Sequence, residues 1–505
     1  MRTGGDGRGR SGITTVAAVH EIESFGLLVL GIAGAFYLAV LSTKATRAIP
    51  IPAPAFFLLG AAVAAEIFPG LRDHVPIRAV ERIGVVALVV ILFDGGMHVG
   101  RRRFRGSAVP ITVLGIAGTF ATAAVLAVAA RYLLGFGWMT SSLVGAALAP
   151  TDPAVMFSVL GNREVGGRTG TILEGESGAN DPVGIALMIG LLAYATGTHA
   201  TPWIAVREFA VEMAVGLAIG LVGGTALAQF MRRIPLPREG LYPLRTLAAS
   251  GVVYGAAAVA HGSGFLAVFV AGLWVGDLNA PYKAEIERFH SSLASLAEIV
   301  VFIALGVSVS LSSLGHDHLW LDGIVLALVL AFAARPLVAG ALLVPARLRR
   351  GEKLFVLWGG LKGAVPILLA ALAVLDGANE SSRIYGIVFV VVAFSVVVQG
   401  ATVPLAARRL GVPMREVAPE PWDISIRLRE EPHGVQRFVV RRGARAAGHA
   451  ISELPLGERA WISMIVRSEQ PLEARGRTVL EPGDEVVVLA EHDTRPALRA
   501  LFEET

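Results

Sequence analysis

Between residues 24 and 406 the chain passes through thirteen apolar segments, at about 24–43, 51–68, 83–99, 108–134, 138–160, 170–197, 206–231, 241–260, 263–277, 288–311, 320–345, 353–375 and 384–406. Segments of about 20 apolar residues match a hydrocarbon core about 30 Å thick. In lipid, every backbone N–H and C=O must be satisfied within the chain, so such segments have to be helices. Charged residues are 17% of the chain, against about 25% in an ordinary soluble domain, and 54% of residues are hydrophobic. The expected fold class is an all-α polytopic membrane protein of about 13 transmembrane helices over residues 24–406, preceded by a polar tail at 1–23. The first apolar run has no clear cleavage site after it and reads as a retained helix. There is no cysteine. Disulfides, thiol chemistry and Cys-ligated zinc are therefore excluded.

Lys and Arg in such a chain chiefly record orientation and do not imply a nucleic-acid partner. One set of alternate loops holds 18 of them, from Lys44 and Arg47 through Arg101–Arg105 to Lys353; the other set holds 6, with three more in the N-terminal tail. The first set is expected on the cytoplasmic side. Thirteen spans then place the N-terminus outside and the C-terminus inside, in a cell membrane. After residue 406 the composition changes. Residues 407–431 read as a linker, and 432–505 as a small cytoplasmic α+β domain. Strands are expected at 436–440, 460–466 and 484–490, with a helix at 494–502. At about 75 residues that domain is small enough to need a second copy for stability.

Within the apolar segments stand Thr151-Asp152-Pro153 and Glu176-Ser177-Gly-Ala-Asn180-Asp181-Pro182. A carboxylate near the middle of a bilayer costs about 3 kcal/mol or more, so it marks function by default. Each run carries a proline, expected to break the helix beside the charge. Asp181 is the strongest candidate for a carboxylate that holds a proton and a small cation in competition. Asn180 and Ser177 offer neutral oxygens, and Ser177 lies one turn from Asp181 on the same helix face. Asp152 and Thr151 stand at the other break, where a freed carbonyl adds a further oxygen; the alternative role for either is N-capping of the second half-helix. Glu176 lies on another face and needs a buried cation partner. Arg335, before Pro336, is the expected one. Glu298 and Lys362 form a second expected structural pair. Segments five and twelve, interrupted at Thr151-Asp152-Pro153 and Gly359-Gly360-Leu361-Lys362-Gly363, are seven spans apart and so opposite in direction. Interrupted helices at matching places in two halves are the mark of inverted repeats with the site between them.

Together, the Thr-Asp-Pro break, Glu176-Ser177-x-x-Asn180-Asp181, Arg335-Pro336 and Gly359-Gly360-Leu361-x-Gly363-Ala364-Val365 resemble the monovalent cation/proton antiporters of the NhaP and sodium/proton exchanger type over about residues 24–406. The resemblance implies a homodimer, a core domain with crossed broken helices that moves against a dimerisation domain by alternating access, and Asp181 as the ion- and proton-binding residue. Around it would stand Ser177, Asn180, Asp152 and Thr151, the transported cation touching Asp181, Ser177 and Thr151. It also implies a Glu176–Arg335 structural pair, no cofactor, and, from the Asn-Asp order, electroneutral exchange. The family usually has Arg at Lys362; charge is kept and bidentate geometry lost. The tail resembles an RCK-C (TrkA-C) domain on its strand pattern, Ile451-Ser-Glu-Leu-Pro-Leu456 and Leu480-Glu-Pro-Gly-Asp484. That implies regulation through a small ligand and points to the potassium/proton subgroup associated with cell-volume regulation. A sodium/proton antiporter of the same fold is the alternative. A regulated potassium channel would need a Thr-Val-Gly-Tyr-Gly filter, and an intramembrane metalloprotease His-Glu-x-x-His; the chain has neither.

Overall fold

The computed structural model describes residues 52–160, 163–196, 202–278, 280–316, 318–416, 435–456, 460–467, 470–490 and 494–504, with isolated positions 26, 34, 37 and 41. The N-terminal tail, most of segment 24–43 and most of the expected linker lie outside these residues. The chain divides into two compact units, Met1–Ala418 and Pro419–Thr505.

The larger unit is helical. Helix α1 spans Ala53–Ile67, and α2, Ile77–Thr112, runs through a π-turn at Val113–Gly118 into α3, Thr119–Leu133. Two separate segments, 83–99 and 108–134, were expected across this stretch, and the backbone leaves helical geometry at Gly100 and Ser107, at the two edges of the stretch expected between them; the φ of 64° at Gly100 is open to glycine. Asp277 takes up the break, accepting the Arg102 amide at 2.6 Å. Next come α4 (Trp138–Leu148), α5 (Pro153–Leu160), strand β1 (Arg163–Val165) and α6 (Gly167–Thr196). Helix α7 spans Pro202–Arg233, α8 Leu241–Val259, α9 Gly264–Gly276 and α10 Lys283–Val307. Helix α11 (Leu319–Val329) continues through a π-turn into α12 (Arg335–Leu342). Helices α13 (Arg350–Trp358) and α14 (Ala364–Leu375) are the two halves of an interrupted span. Helix α15 (Ser381–Phe394) passes through a π-turn at Ser395–Gln399 into α16 (Gly400–Arg409). Among the described residues, six helical runs are long and apolar enough to cross a membrane, one of them Ile77–Leu133 with its break at Gly100; α1, α9 and the half-helices α4 and α14 are shorter.

Two features depart from the sequence reading. Pro182 does not break its helix: α6 is continuous from Gly167 to Thr196. One proline removes one N–H, and packed neighbours absorb the bend. Residues 407–416 are not linker. The last helix runs to Arg409, and β2 (Met414–Glu416) pairs antiparallel with β1, Arg163 opposite Glu416.

The smaller unit is a four-stranded antiparallel sheet in the order β3-β6-β4-β5, with β3 Val435–Val439, β4 Ala460–Arg467, β5 Gln470–Leu472 and β6 Glu485–Ala490. Helix α17, Arg495–Phe502, covers one face, and Phe502 stacks on Phe438 with ring centroids 5.5 Å apart. Burial follows the strand period of two: Val486, Val488 and Ala490 face inward. In the turn before β6, Asp484 is buried, takes both Nε and Nη2 of Arg467 at 2.8 Å, and accepts the Glu481 amide at 2.8 Å. Burial pushes this carboxyl up, but the Arg467 and amide hydrogen bonds outweigh it and hold the carboxyl below its ordinary range. The stabilisation is thus full above the ordinary carboxylate pKa of about 3.9 and is lost below it, as pH falls through the lowered pKa of the folded chain. The melting temperature of a 419–505 fragment is expected to fall steeply below about pH 4, and Asp484→Asn to flatten that fall; a melting temperature unaffected by either would contradict the assignment.

Candidate functional site

The two interrupted spans cross at their breaks. Helix α4 ends at Leu148 and α5 starts at Pro153; α13 ends at Trp358 and α14 starts at Ala364. Each break carries Gly or Pro beside a charge, which is why it is not helix. The Asp152 amide donates to the Leu361 carbonyl at 2.8 Å. Four half-helix ends therefore meet in one place, two exposing N–H groups and two exposing carbonyls. Lys362 is fully buried and donates from Nζ to the carbonyls of Ala149 (2.8 Å) and Pro150 (2.7 Å), at the C-terminal end of α4. Its charge matches the negative pole there. Its own amide donates to Ser395 Oγ at 2.9 Å, and Ser395 Oγ to Gln399 Oε1 at 3.0 Å.

The carboxylate of Asp152 lies against Gly363, just before α14, at the positive pole of that half-helix. A Cβ at position 363 would overlap Asp152 Oδ2. Gly363→Ala must therefore displace that carboxylate, and overpacking of this kind costs about 1–3 kcal/mol. We expect a lower melting temperature and much slower transport. Gly340→Ala, whose Cβ would meet only Leu357 at 3.8 Å, serves as the control that changes neither.

Helix α6 brings the second acidic run to the crossing. Asn180 clamps the first break: its Nδ2 donates to Thr151 Oγ1 at 2.7 Å, and the Thr151 amide donates to Asn180 Oδ1 at 3.3 Å. Asp181 is 4% exposed and Ser177, one turn earlier, 5%. Asp181 Oδ1 is buried and has no hydrogen-bond partner among the described residues. The electrostatic neighbours of Asp181 are Asp152 and Lys362. Pro182 has no N–H to give the Gly178 carbonyl, one turn back, so a backbone oxygen is also freed on this turn. An unfilled carboxylate oxygen, a serine hydroxyl and freed carbonyls in a dry setting are the donors that a dehydrated monovalent cation, or a proton on the same carboxyl, would use.

Glu176 faces away from this cluster and meets Arg335. The guanidinium forms a two-pronged pair with the carboxylate, Nη2–Oε2 being 2.9 Å, and Nη2 also reaches the Val356 carbonyl at 3.3 Å. Glu298 and Lys362 do not form the expected pair: among the described residues no ion pair joins them, because the carbonyl end of α4 takes the ammonium. Ser395 and Gln399 were not singled out in the sequence, although two polar residues four apart in an apolar run were the available signal.

A buried carboxylate at the crossing of two interrupted helices, inside a bundle of apolar spans, defines a secondary transporter. The model of the family "sodium/hydrogen exchanger, transmembrane" matches residues 32–409, and that of the TrkA-C domain matches 435–503. The chain belongs to the sodium/hydrogen exchanger family and is a membrane-embedded, multi-pass cation/proton antiporter with a C-terminal TrkA-C domain. It is 32% identical to the K(+)/H(+) antiporter NhaP of Alkalimonas amylolytica over 473 residues, 93% of this chain and 82% of that protein. It is 30% identical to the K(+)/H(+) antiporter NhaP2 of Shewanella sp. strain ANA-3 over 92% of this chain and 81% of that one. The sodium proton antiporter MjNhaP1 from Methanocaldococcus jannaschii has the same fold, with a TM-score of 0.65 at 21% identity, covering 76% of this chain and 99% of that structure.

Proposed function

We propose that the chain exchanges potassium for protons, one for one, by alternating access at Asp181. The observation that carries this reading is the buried Asp181 carboxylate with Oδ1 unfilled, on the turn where Pro182 frees a carbonyl. One carboxyl holds a proton or a cation but not both, so each ion displaces the other. Ser177 and Thr151 add cation ligands in this reading. Asn180 positions Thr151, and Asp152 and Lys362 neutralise the four half-helix ends so that the crossing persists without an ion. Glu176 and Arg335 anchor α6 to α12. Potassium is favoured by the relatives named as K(+)/H(+) antiporters over most of this chain's length and by the TrkA-C tail. The loop charges favour an N-terminus outside and a tail in the cytoplasm. There the tail, as a dimer within a homodimeric transporter, would set activity through a small ligand.

Proteoliposomes with an imposed pH gradient and a trapped pH dye test the ion. Dissipation by K⁺ well above Na⁺ or choline is expected, whereas dissipation mainly by Na⁺ would overturn the potassium assignment. Deleting residues 420–505 is expected to change the activity or its pH dependence and to leave the ion coupling intact. A truncated transporter indistinguishable from the full chain would remove the regulatory role.

A further inference from the structure

Helix α10 carries a carboxylate that this scheme does not use. Ser291, Ser295 and Glu298 follow the i, i+4, i+7 spacing of one helix face. Ser291 Oγ donates to Asp94 Oδ1 at 3.2 Å, and Ser295 Oγ donates to the Ser291 carbonyl at 2.9 Å. Ser295 is exposed and Glu298 partly so, whereas Phe302, one turn further on the same face, is fully buried. A polar strip thus descends α10 from the end that bears Lys283 and Arg288 and stops at Phe302.

At the inner end of the strip, Oε1 of Glu298 is buried and has no hydrogen-bond partner among the described residues. The carboxylate that acts on it electrostatically is Asp152, in the break of the α4–α5 span. Several charged groups on and beside α10 are engaged with other partners. On α1, Glu66 pairs with Arg72 and accepts the Leu311 amide; on α2, Asp94 accepts from Ser291. On α10 itself, Lys283 pairs with Glu287, and His290 bonds Thr246 of α8. A half-buried carboxylate with an unfilled oxygen, within electrostatic reach of a second carboxylate at the crossing, gains from a cation between water and the site.

We propose that Glu298 lines the aqueous approach to Asp181 from the Lys283 end of α10 and binds the monovalent cation on that path. The proposal rests on the antiport reading and on the orientation assigned above. It makes Glu298 a ligand on the route and not the structural partner of Lys362.

The chain has no cysteine, so single thiols can be introduced without removing any. Ser295→Cys and Glu298→Cys are treated with an impermeant cationic methanethiosulfonate, in vesicles of either orientation. Both should react from the cytoplasmic side about tenfold faster than Leu296→Cys and Val300→Cys on the opposite face, because the reactive thiolate needs water. K⁺ or Na⁺, but not choline, should slow labelling at position 295, and that protection should vanish when Glu298→Gln is added. Equal labelling of the two faces, reaction from the outside only, or protection that survives Glu298→Gln would each overturn the proposal. The 295 series keeps the test intact if Glu298→Cys does not fold. Labelling needs no turnover, so a failed antiport reading and a misplaced pathway give different results.

Discussion

Asp181→Asn is expected to abolish cation/proton exchange, lowering the rate in proteoliposomes by about a hundredfold or more while leaving the fold in place. The substitution keeps the volume of the side chain and removes the only property that the scheme requires, a charge that a proton can cancel. The environment tolerates it: the side chain is buried and Oδ1 has no hydrogen bond to lose. The neutral amide also lifts the repulsion with Asp152, so the variant should melt no lower than the native chain. Loss of exchange with retained stability separates an ion-carrying role from a structural one. Asp181→Asn with exchange near the native rate would remove Asp181 from the mechanism.

Glu176→Gln should have the opposite signature. Its carboxylate is 2% exposed and takes both prongs of Arg335, which is itself 7% exposed. Removing one partner leaves a guanidinium buried and uncompensated, at a cost of about 3–5 kcal/mol. The expected result is a large drop in melting temperature and in the amount of folded protein, with the cation preference of the surviving fraction unchanged. The double variant Glu176→Met with Arg335→Met should recover much of the loss, since no buried charge is left behind. Unchanged stability in Glu176→Gln would show that the pair does not hold α6 to α12; altered ion selectivity at full stability would move Glu176 into the ion site.

The parts of this architecture that were legible in the sequence are those where local chemistry conflicts with a membrane helix. Gly359-Gly360 with Lys362, and Pro150 with Asp152-Pro153, marked the two breaks because both backbone and charge resist burial there. The same reasoning failed at Pro182. A proline removes a single hydrogen bond, and α6, packed against its neighbours, stays helical through it. Arg335 was legible as the partner of Glu176 because few buried cations were available to compensate it. Lys362 was not, because sequence spacing does not reveal which half-helix end lies nearest its ammonium. The carbonyls of Ala149 and Pro150, more than two hundred positions away in the chain, took it. The β1–β2 pairing escaped because three residues per strand give no period to read. Glu298 was visible as a buried acid, but the unfilled oxygen that sets it apart is a three-dimensional property.

The central claim is that one carboxyl, Asp181, is shared by the proton and the cation. Proton release from the purified full-length chain on adding K⁺ or Na⁺, followed in weak buffer with a pH dye, tests it most directly. Cation binding to a site that must first deprotonate should release about one proton per cation bound from the native chain. Asp181→Asn should release none. Cation binding without proton release, or release that persists in Asp181→Asn, would contradict the account.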